Sequence, residues 1–324
     1  MTHVDDKVLE NKLVQLDKKR KKHIRKLFFN VLFLVFFWVL FTFSVTWVPS
    51  EYFVTIGGIA LLLIPTFFVI LIFRFKQLRT QVRKLFYTEF MPQFLNIKYP
   101  ELTFDHNQGI DGSILQKANL FVEKFDDYTA HNLFAARYEN KNIQFSDVQA
   151  TYINRNTHEN FTETLINGSY IVTETSYDYG TQTLLITDLS EMLLGSFSQS
   201  LQKIRVPDGL KLIKLDDQDF EDYFIVYTQG ELPVFMNEEM RQFLVELHQQ
   251  ELENVRIAFK NQQVLFAFTY RKIKITPGLF SSLKNPKLLE NYEKEIKLYL
   301  KISRFMATFD PNGNFYEEKS TVIM

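Results

Sequence analysis

Two long apolar runs dominate the first quarter of the chain. Residues 27–48 and 53–73 are mostly apolar, and a short polar break of four residues separates them. The whole stretch carries no Lys, Arg, Asp or His, and Glu51 in the break is its single charge. A helix needs about 20 apolar residues to cross a hydrocarbon core. Because the break is short, the pattern predicts two antiparallel transmembrane helices.

Basic residues at the outer ends of this hairpin predict its orientation. They lie just before the first run and just after the second, whereas the break between the runs has none. Basic residues that flank a span stay in the cytoplasm. We therefore predict a multi-pass protein of the inner (cytoplasmic) membrane with both termini in the cytoplasm. The residues that set this topology are Lys18, Lys19, Arg20, Lys21, Lys22, Arg25, Lys26, Arg74, Lys76, Arg79, Arg83 and Lys84.

Two other interpretations of the apolar runs are weaker. A cleaved signal peptide has a shorter apolar core and a small-residue cleavage pattern, and no second span would follow it. Buried core helices of soluble proteins rarely contain charge-free runs of this length. Neither run contains an ionisable residue, which transport paths usually need. The hairpin therefore resembles an anchor more than a channel.

The segments next to the runs have helical patterns of their own. Residues 1–26 are polar and Lys-rich, with a few apolar residues at near-helical spacing, and predict a basic cytoplasmic leader that is mostly solvated. Residues 74–95 continue the second span as a juxtamembrane helix, because apolar residues recur there at three- and four-residue steps. Pro92 and Pro100 are expected to mark the end of this helix.

In residues 96–309 the hydrophobic pattern becomes typical of β-strands, with helices before and after them. Alternating runs on both sides of residues 139–142, and again of residues 260–263, predict two β-hairpins. Asn237 and Asn285 are each placed to cap a helix. Several consecutive strands, with helices before and after them, predict an α+β fold with a mainly antiparallel sheet. Residues 310–324 are expected to form a loose tail.

Charge and cysteine usage exclude several classes of function. Residues 85–324 hold 23 Lys and Arg against 33 Asp and Glu, a net charge of −10 with His neutral. Nucleic-acid binding depends largely on cationic contacts, so we expect no nucleic-acid partner. The chain has no cysteine, which excludes disulfides, thiolate nucleophiles and cysteine metal sites.

No motif in the sequence assigns a reaction. The histidines lack metal-ligand spacing, and there is neither a Gly-rich phosphate loop nor a nucleophile elbow. The acidic residues between 216 and 222 would suit a divalent cation, but they lack the glycine and closing Glu of an EF-hand. An exposed turn between two strands is the favoured interpretation of that segment. We expect no cofactor and no metal, and catalytic residues stay unknown.

Residues 214–227 resemble an uncharacterised bacterial family of membrane proteins with a domain of unknown function. They carry a Phe-Glu pair followed by a Phe-x-Val-Tyr pattern, and residues 143–148 are also similar to that family. Residues 234–240 lack its Thr-Pro helix start, and residues 131–132 lack its usual acidic residue. The resemblance covers residues 85–309. It implies two N-terminal spans and a cytoplasmic domain, and brings no activity.

Three functions fit these observations. The favoured one is a non-enzymatic, membrane-anchored binding or scaffold module, whose partner is a protein or a second copy of the chain. The second is an enzyme that acts on membrane-derived substrates through carboxylates such as Asp216 or Asp219. The third is an accessory subunit of a transporter, for which the small residues Gly57, Gly58 and Ala60 are the only hint.

Overall fold

The computed structural model describes residues 3–45, 53–155, 161–187, 209–250, 252–270 and 277–311. The break at residues 49–52 and most of the expected tail lie outside these residues. The chain divides into two compact units. The first consists of Met1–Tyr99 and Ile275–Tyr292, and the second of Pro100–Lys274 and Glu293–Met324.

The first unit is helical. Its elements are α1 (His3–Val45), α2 (Phe53–Leu85), a π-helical turn (Phe86–Phe90) and α3 (Met91–Lys98). A helix rises 1.5 Å per residue, so α1 is about 64 Å long. Helix α1 includes the basic leader and the first apolar run without interruption.

The leader differs from the solvated segment that its composition predicts. Leu9, Leu13 and Leu16 are buried, although Val8 is exposed. These three leucines recur at four- and three-residue steps, so they lie on one face of α1. The leader is therefore a packed part of the first unit.

The helical chain continues past residue 74 to Lys98, through α2, the π-helical turn and α3, and does not end near Pro92. Pro92 lies in the first turn of α3, and the helix ends at Lys98. A proline is tolerated there because the first N–H groups of a helix have no partner within it. The π-helical turn before α3 buries Phe86, Tyr87 and Phe90.

The second unit contains one sheet in the order β1-β2-β3-β4-β9-β8-β5-β7-β6, and every neighbouring pair is antiparallel. The α+β class and the antiparallel sheet are therefore confirmed. The described strands are β1 (Thr103–Asp105), β2 (Asp127–Tyr138), β3 (Lys141–Asn154), β4 (Phe161–Glu174), β5 (Thr183–Thr187), β6 (Lys211–Ile213), β7 (Phe224–Thr228), β8 (Leu252–Lys260) and β9 (Gln263–Tyr270).

Helices cover both faces of this sheet. They are α4 (Gly112–Lys117), α5 (Gln218–Glu221), α6 (Glu238–Gln249) and α7 (Pro286–Thr308), and α7 begins in the first unit. On one face, Leu115 of α4 belongs to a buried apolar cluster with Tyr170 and Val172 of β4. On the other face, Tyr299 of α7 packs against Phe145 of β3. Successive side chains along a strand point to opposite sides of the sheet, so each strand contributes residues to both faces.

Candidate functional site

A cleft of about 230 Å³ lies between α1 and α2, within the first unit. Each helix contributes four residues at the spacing i, i+3, i+4 and i+7, which is one face of an α-helix. The lining residues are His23, Lys26, Leu27 and Asn30 from α1, and Arg74, Gln77, Leu78 and Gln81 from α2. The cleft therefore combines cationic, amide and apolar groups.

Both boundaries between basic and apolar sequence lie in this cleft. On α1 the boundary falls between Lys26 and Leu27, and on α2 between Phe73 and Arg74. Eight residues of helix span about 10 Å from first to last, so the two boundaries are close together along the helix axes. The cleft thus marks one level at which both helices change from polar to apolar surface.

The apolar residues that lie beyond this boundary are exposed on both helices. On α1 the exposed side chains include Phe28, Phe33 and Trp38, and on α2 they include Phe68 and Phe73. In the described part of the chain, one helical segment is long and apolar enough to cross a membrane. That segment is Lys7–Leu40, whose most apolar window has a mean hydropathy of 1.7 and is not buried. This helix is suited to membrane association.

A buried ion pair lies on the polar side of the cleft. The side chains of Asp17 and Arg20 are 4% and 6% exposed, and Arg20 Nη2 lies 2.9 Å from Asp17 Oδ1. Arg20 Nη1 also donates to the carbonyl oxygen of Leu279 at 2.7 Å, and Asp17 Oδ1 accepts from the amide of Leu283 at 3.3 Å. The pair therefore joins α1 to the loop 277–285.

Arg20 and Lys21 decide the ionisation of Asp17. Burial raises the pKa of this carboxyl group, but hydrogen bonds from Arg20 and Lys21 and the charge of Arg20 outweigh burial. The pKa of Asp17 is therefore below its ordinary value. The carboxylate stays ionised and keeps Arg20 in place.

A second ion pair joins the leader of α1 to the π-helical turn. Lys19 Nζ donates to both carboxylate oxygens of Glu89 at 2.8 Å, and Lys12 Nζ lies 3.5 Å from Glu89. The hydrogen bond from Lys19 lowers the pKa of Glu89 more than its partial burial raises it. Lys19 is therefore engaged within the protein.

The structure divides the twelve predicted topology residues into groups. Arg20 and Lys19 are held in ion pairs, and Lys21 lies 3.3 Å from Asp17. Lys26 and Arg74 line the cleft. Most of the others are exposed on the two helices, with Arg83 half-buried: Lys18, Lys22, Arg25, Lys76, Arg79, Arg83 and Lys84.

The acidic segment of residues 216–222 has structural contacts instead of a common centre. Asp217 caps α5 by accepting from the amide of Phe220, and its other oxygen lies 2.6 Å from Nε of Arg241. Glu221 accepts from the amide of Leu215 at 2.6 Å. Among the described residues, no group of three or more His, Asp or Glu side chains is placed to hold a metal ion.

Sequence reasoning missed half of the cleft lining. It singled out Lys26 and Arg74 by charge, but not His23, Asn30 or the two glutamines of α2. Residue 30 carried a usable signal, because it is the single polar residue between positions 27 and 41 of an apolar run. The glutamines had no such signal, since polar residues are expected on a helix outside the membrane.

The family match lies mainly in the second unit. Residues 164–307 match the family model described as "Protein of unknown function (DUF3137)". This match agrees with the resemblance to an uncharacterised family, and covers most of β4 and the later strands but not β1 to β3. No curated protein matches the chain. The chain is similar to the crystal structure of the mycobacterial trehalose monomycolate transport factor A, with 9% identity and a TM-score of 0.33, over 66% of this chain and 93% of that chain.

Proposed function

We propose that this protein is a membrane-anchored module in which α1 and α2 both span the inner membrane and the second unit faces the cytoplasm. The second unit is then a binding or scaffold module, and its partner is a protein or a second copy of the chain. The observation that carries this proposal is the cleft. It brings the polar-to-apolar boundaries of both helices to one level, as a single membrane surface requires.

Exposed apolar surface on both helices supports the two-span arrangement. Soluble proteins rarely expose large contiguous apolar patches, and such patches mark contact with a membrane or a partner. Phe68, Ile70 and Phe73 of α2 are as exposed as the aromatic residues of α1. A single span would leave this surface of α2 in water, at a cost of about 25 cal/mol for each Å².

The loop 277–285 places a large aromatic side chain near the same level. Phe280 is 70% exposed, and its ring centroid lies 5.6 Å from that of Phe75, which directly follows Arg74. Amphipathic surfaces bury such aromatic side chains in the boundary between headgroups and acyl chains. Phe280 in this loop therefore supports a membrane surface at the level of Arg74.

Binding by the second unit is supported by exposed apolar residues there. Leu212 on the edge strand β6 and Val234 before α6 are exposed, and Val234 is 70% exposed. The acidic residues from 216 to 222 do not converge, so no observation favours the carboxylate enzyme. We therefore retain the binding module as the proposed function.

Cysteine labelling tests the proposed topology. The chain has no cysteine of its own, so an introduced cysteine is labelled uniquely. We expect a membrane-impermeant maleimide to label Ser50→Cys in intact cells. We expect Thr129→Cys in strand β2 to be labelled only after the membrane is opened. Labelling of Thr129→Cys in intact cells, or protection of Ser50→Cys, would contradict the proposal.

A further inference from the structure

The cleft between α1 and α2 has the size of a headgroup site. Pockets for drug-sized ligands usually enclose about 300–1,000 Å³. This cleft, at about 230 Å³, is smaller, and a water molecule occupies about 30 Å³ of liquid. It therefore has room for a phosphate group and a short polar chain.

The charges around the cleft favour an anion. Lys26 and Arg74 line it together with His23, and no Asp or Glu occurs between residues 18 and 50 or between residues 52 and 88. The nearest carboxylates along the chain, Asp17 and Glu89, are already paired with other cations. Residues 18–45 of α1 and 53–85 of α2 therefore bring no carboxylate to the cleft.

Amide and apolar groups complete the lining. Side-chain amides of Gln77, Gln81 and Asn30 can donate to phosphate oxygens or accept from glycerol hydroxyls. Leu27 and Leu78 provide apolar surface beside them. This mixture matches the part of a phospholipid where the phosphate joins the glycerol and the acyl chains.

Asn30 is a further sign of a ligand at this level. It lies one helical turn beyond Lys26, inside the apolar run, and its exposed side chain lines the cleft. A polar side chain inside a membrane is costly, and such residues usually face a functional interior. A phosphate or glycerol partner would satisfy the amide of Asn30.

We propose that this cleft binds the phosphate headgroup of an anionic phospholipid from the cytoplasmic leaflet. Lys26 and Arg74 contact the phosphate, and the amides of Asn30 and Gln77 bind the remaining headgroup oxygens. The proposal rests on the two-span topology, because that topology places the cleft at the membrane surface. Binding there would tie the register of α1 and α2 to the lipid composition of the membrane.

Native mass spectrometry of the full chain in detergent tests this site. The probe is phosphatidylglycerol added against an excess of phosphatidylcholine. The double variant Lys26→Gln with Arg74→Gln should retain phosphatidylglycerol about tenfold less than wild type, because two charge-assisted contacts are lost. The matched control, Arg25→Gln with Lys76→Gln, removes the same charge from the same helices outside the cleft and should change retention less than about twofold.

A charge-neutral variant separates the site from general attraction to anionic lipid. Asn30→Leu should also reduce retention, by about fivefold, because one hydrogen bond to the headgroup is lost. It keeps every charge and suits a transmembrane helix. If the double variant fails to insert into the membrane, the test uses Asn30→Leu instead. Retention of phosphatidylglycerol by Asn30→Leu is then compared with retention by the Arg25→Gln, Lys76→Gln control.

The outcomes distinguish this proposal from the proposed function. Equal loss in the cleft variant and its control would overturn the site, since diffuse attraction would then explain the binding. If lipid-free protein retains inorganic phosphate as strongly as the protein retains phosphatidylglycerol, the site is a free-phosphate site and the lipid proposal is wrong. Labelling of Ser50→Cys is repeated in each variant background, so that a lost site is recognised separately from a lost topology.

Discussion

Asp17 links the N-terminal helix to a loop that lies more than 260 residues further along the chain. Its carboxylate accepts from Arg20, from the Ser282 hydroxyl and from the Leu283 amide. Removing one member of a buried ion pair costs about 3–5 kcal/mol, because the other charge is left without its partner. The loop 277–285 therefore depends on this single side chain.

Amide hydrogen exchange in the loop 277–285 should report the protonation of Asp17. The pKa of Asp17 is lowered in the folded protein, so its contribution to stability is full above the unfolded pKa of about 3.9 and is lost as pH falls below it. We expect protection of Leu283 to fall below about pH 4. In Asp17→Asn the protection should already be about a hundredfold lower at neutral pH, equivalent to about 3 kcal/mol.

Lys22→Gln is the control for the Asp17 variant, because Lys22 is exposed on the same helix. It should exchange as wild type does, and Asp17→Asn should show no further loss of protection as the pH falls. An identical pH profile in wild type and in Asp17→Asn would show that another group controls the loop.

For the residues of the cleft, the charges could be predicted from the sequence but the contacts could not. The charges of Lys26 and Arg74 predict a position at the membrane surface from the sequence, and that position stays a prediction. The contact that places Asn30 opposite α2 could not be predicted, because the relative rotation of two helices depends on packing and not on local pattern. The burial of Arg20, one of the predicted topology residues, was not predictable for a similar reason, since its partner Leu279 is far away in sequence.

At the scale of elements, local patterns were reliable. The hairpins of β2 with β3 and of β8 with β9 are confirmed. Their turns are two residues long, at 139–140 and 261–262, instead of the four residues predicted at 139–142 and 260–263. Glu139, Asn140 and Asn261 adopt positive φ in these turns, which tight connections between strands require. The caps at Asn237 and Asn285 are confirmed as well.

The same local patterns did not predict the order of the strands in the sheet. Strand β4 pairs with β9, and β5 lies between β8 and β7. These neighbours are far apart along the chain, and no turn residue connects them. Hydrophobic alternation shows which face of a strand is buried but not which strand lies beside it. The antiparallel class was therefore predictable, and the topology was not.

The cap of α6 gives a prediction at this scale. Asn237 Oδ1 accepts from the amide of Met240 at 3.0 Å. Asn237→Ala should destabilise the first turn by about 1 kcal/mol, which makes the Met240 amide exchange about fivefold faster. Asn237→Ser keeps an acceptor and should stay close to wild type. Equal exchange in all three proteins would mean that packing alone holds this helix start.

At the scale of the whole molecule, the sequence established the class of the protein better than its activity. Alternating and apolar runs predicted a membrane-associated helical part and an α+β part. The α+β class is confirmed, whereas residues 275–292, which were predicted to lie in the α+β part, belong to the helical unit. The acidic segment predicted no function because Asp217 serves a helix cap and an ion pair, and Glu221 accepts from a backbone amide. The cleft depends on the register of two helices, which only the structure provides.

The immersion depth of α1 and α2 tests the central claim, that both helices enter the membrane at one level. Nitroxide labels at single cysteines introduced at Lys26, Leu32, Ile70 and Arg74 report depth in reconstituted vesicles. All four positions are exposed. At 1.5 Å per residue, Leu32 and Ile70 should lie roughly 6 to 9 Å deeper than Lys26 and Arg74.

We predict headgroup depth for Lys26 and Arg74, and hydrocarbon depth for Leu32 and Ile70. The two members of each pair should differ by no more than one helical turn, roughly 5 Å. Hydrocarbon depth at Leu32 together with an aqueous environment at Ile70 would contradict this prediction, because α1 alone would then span the membrane.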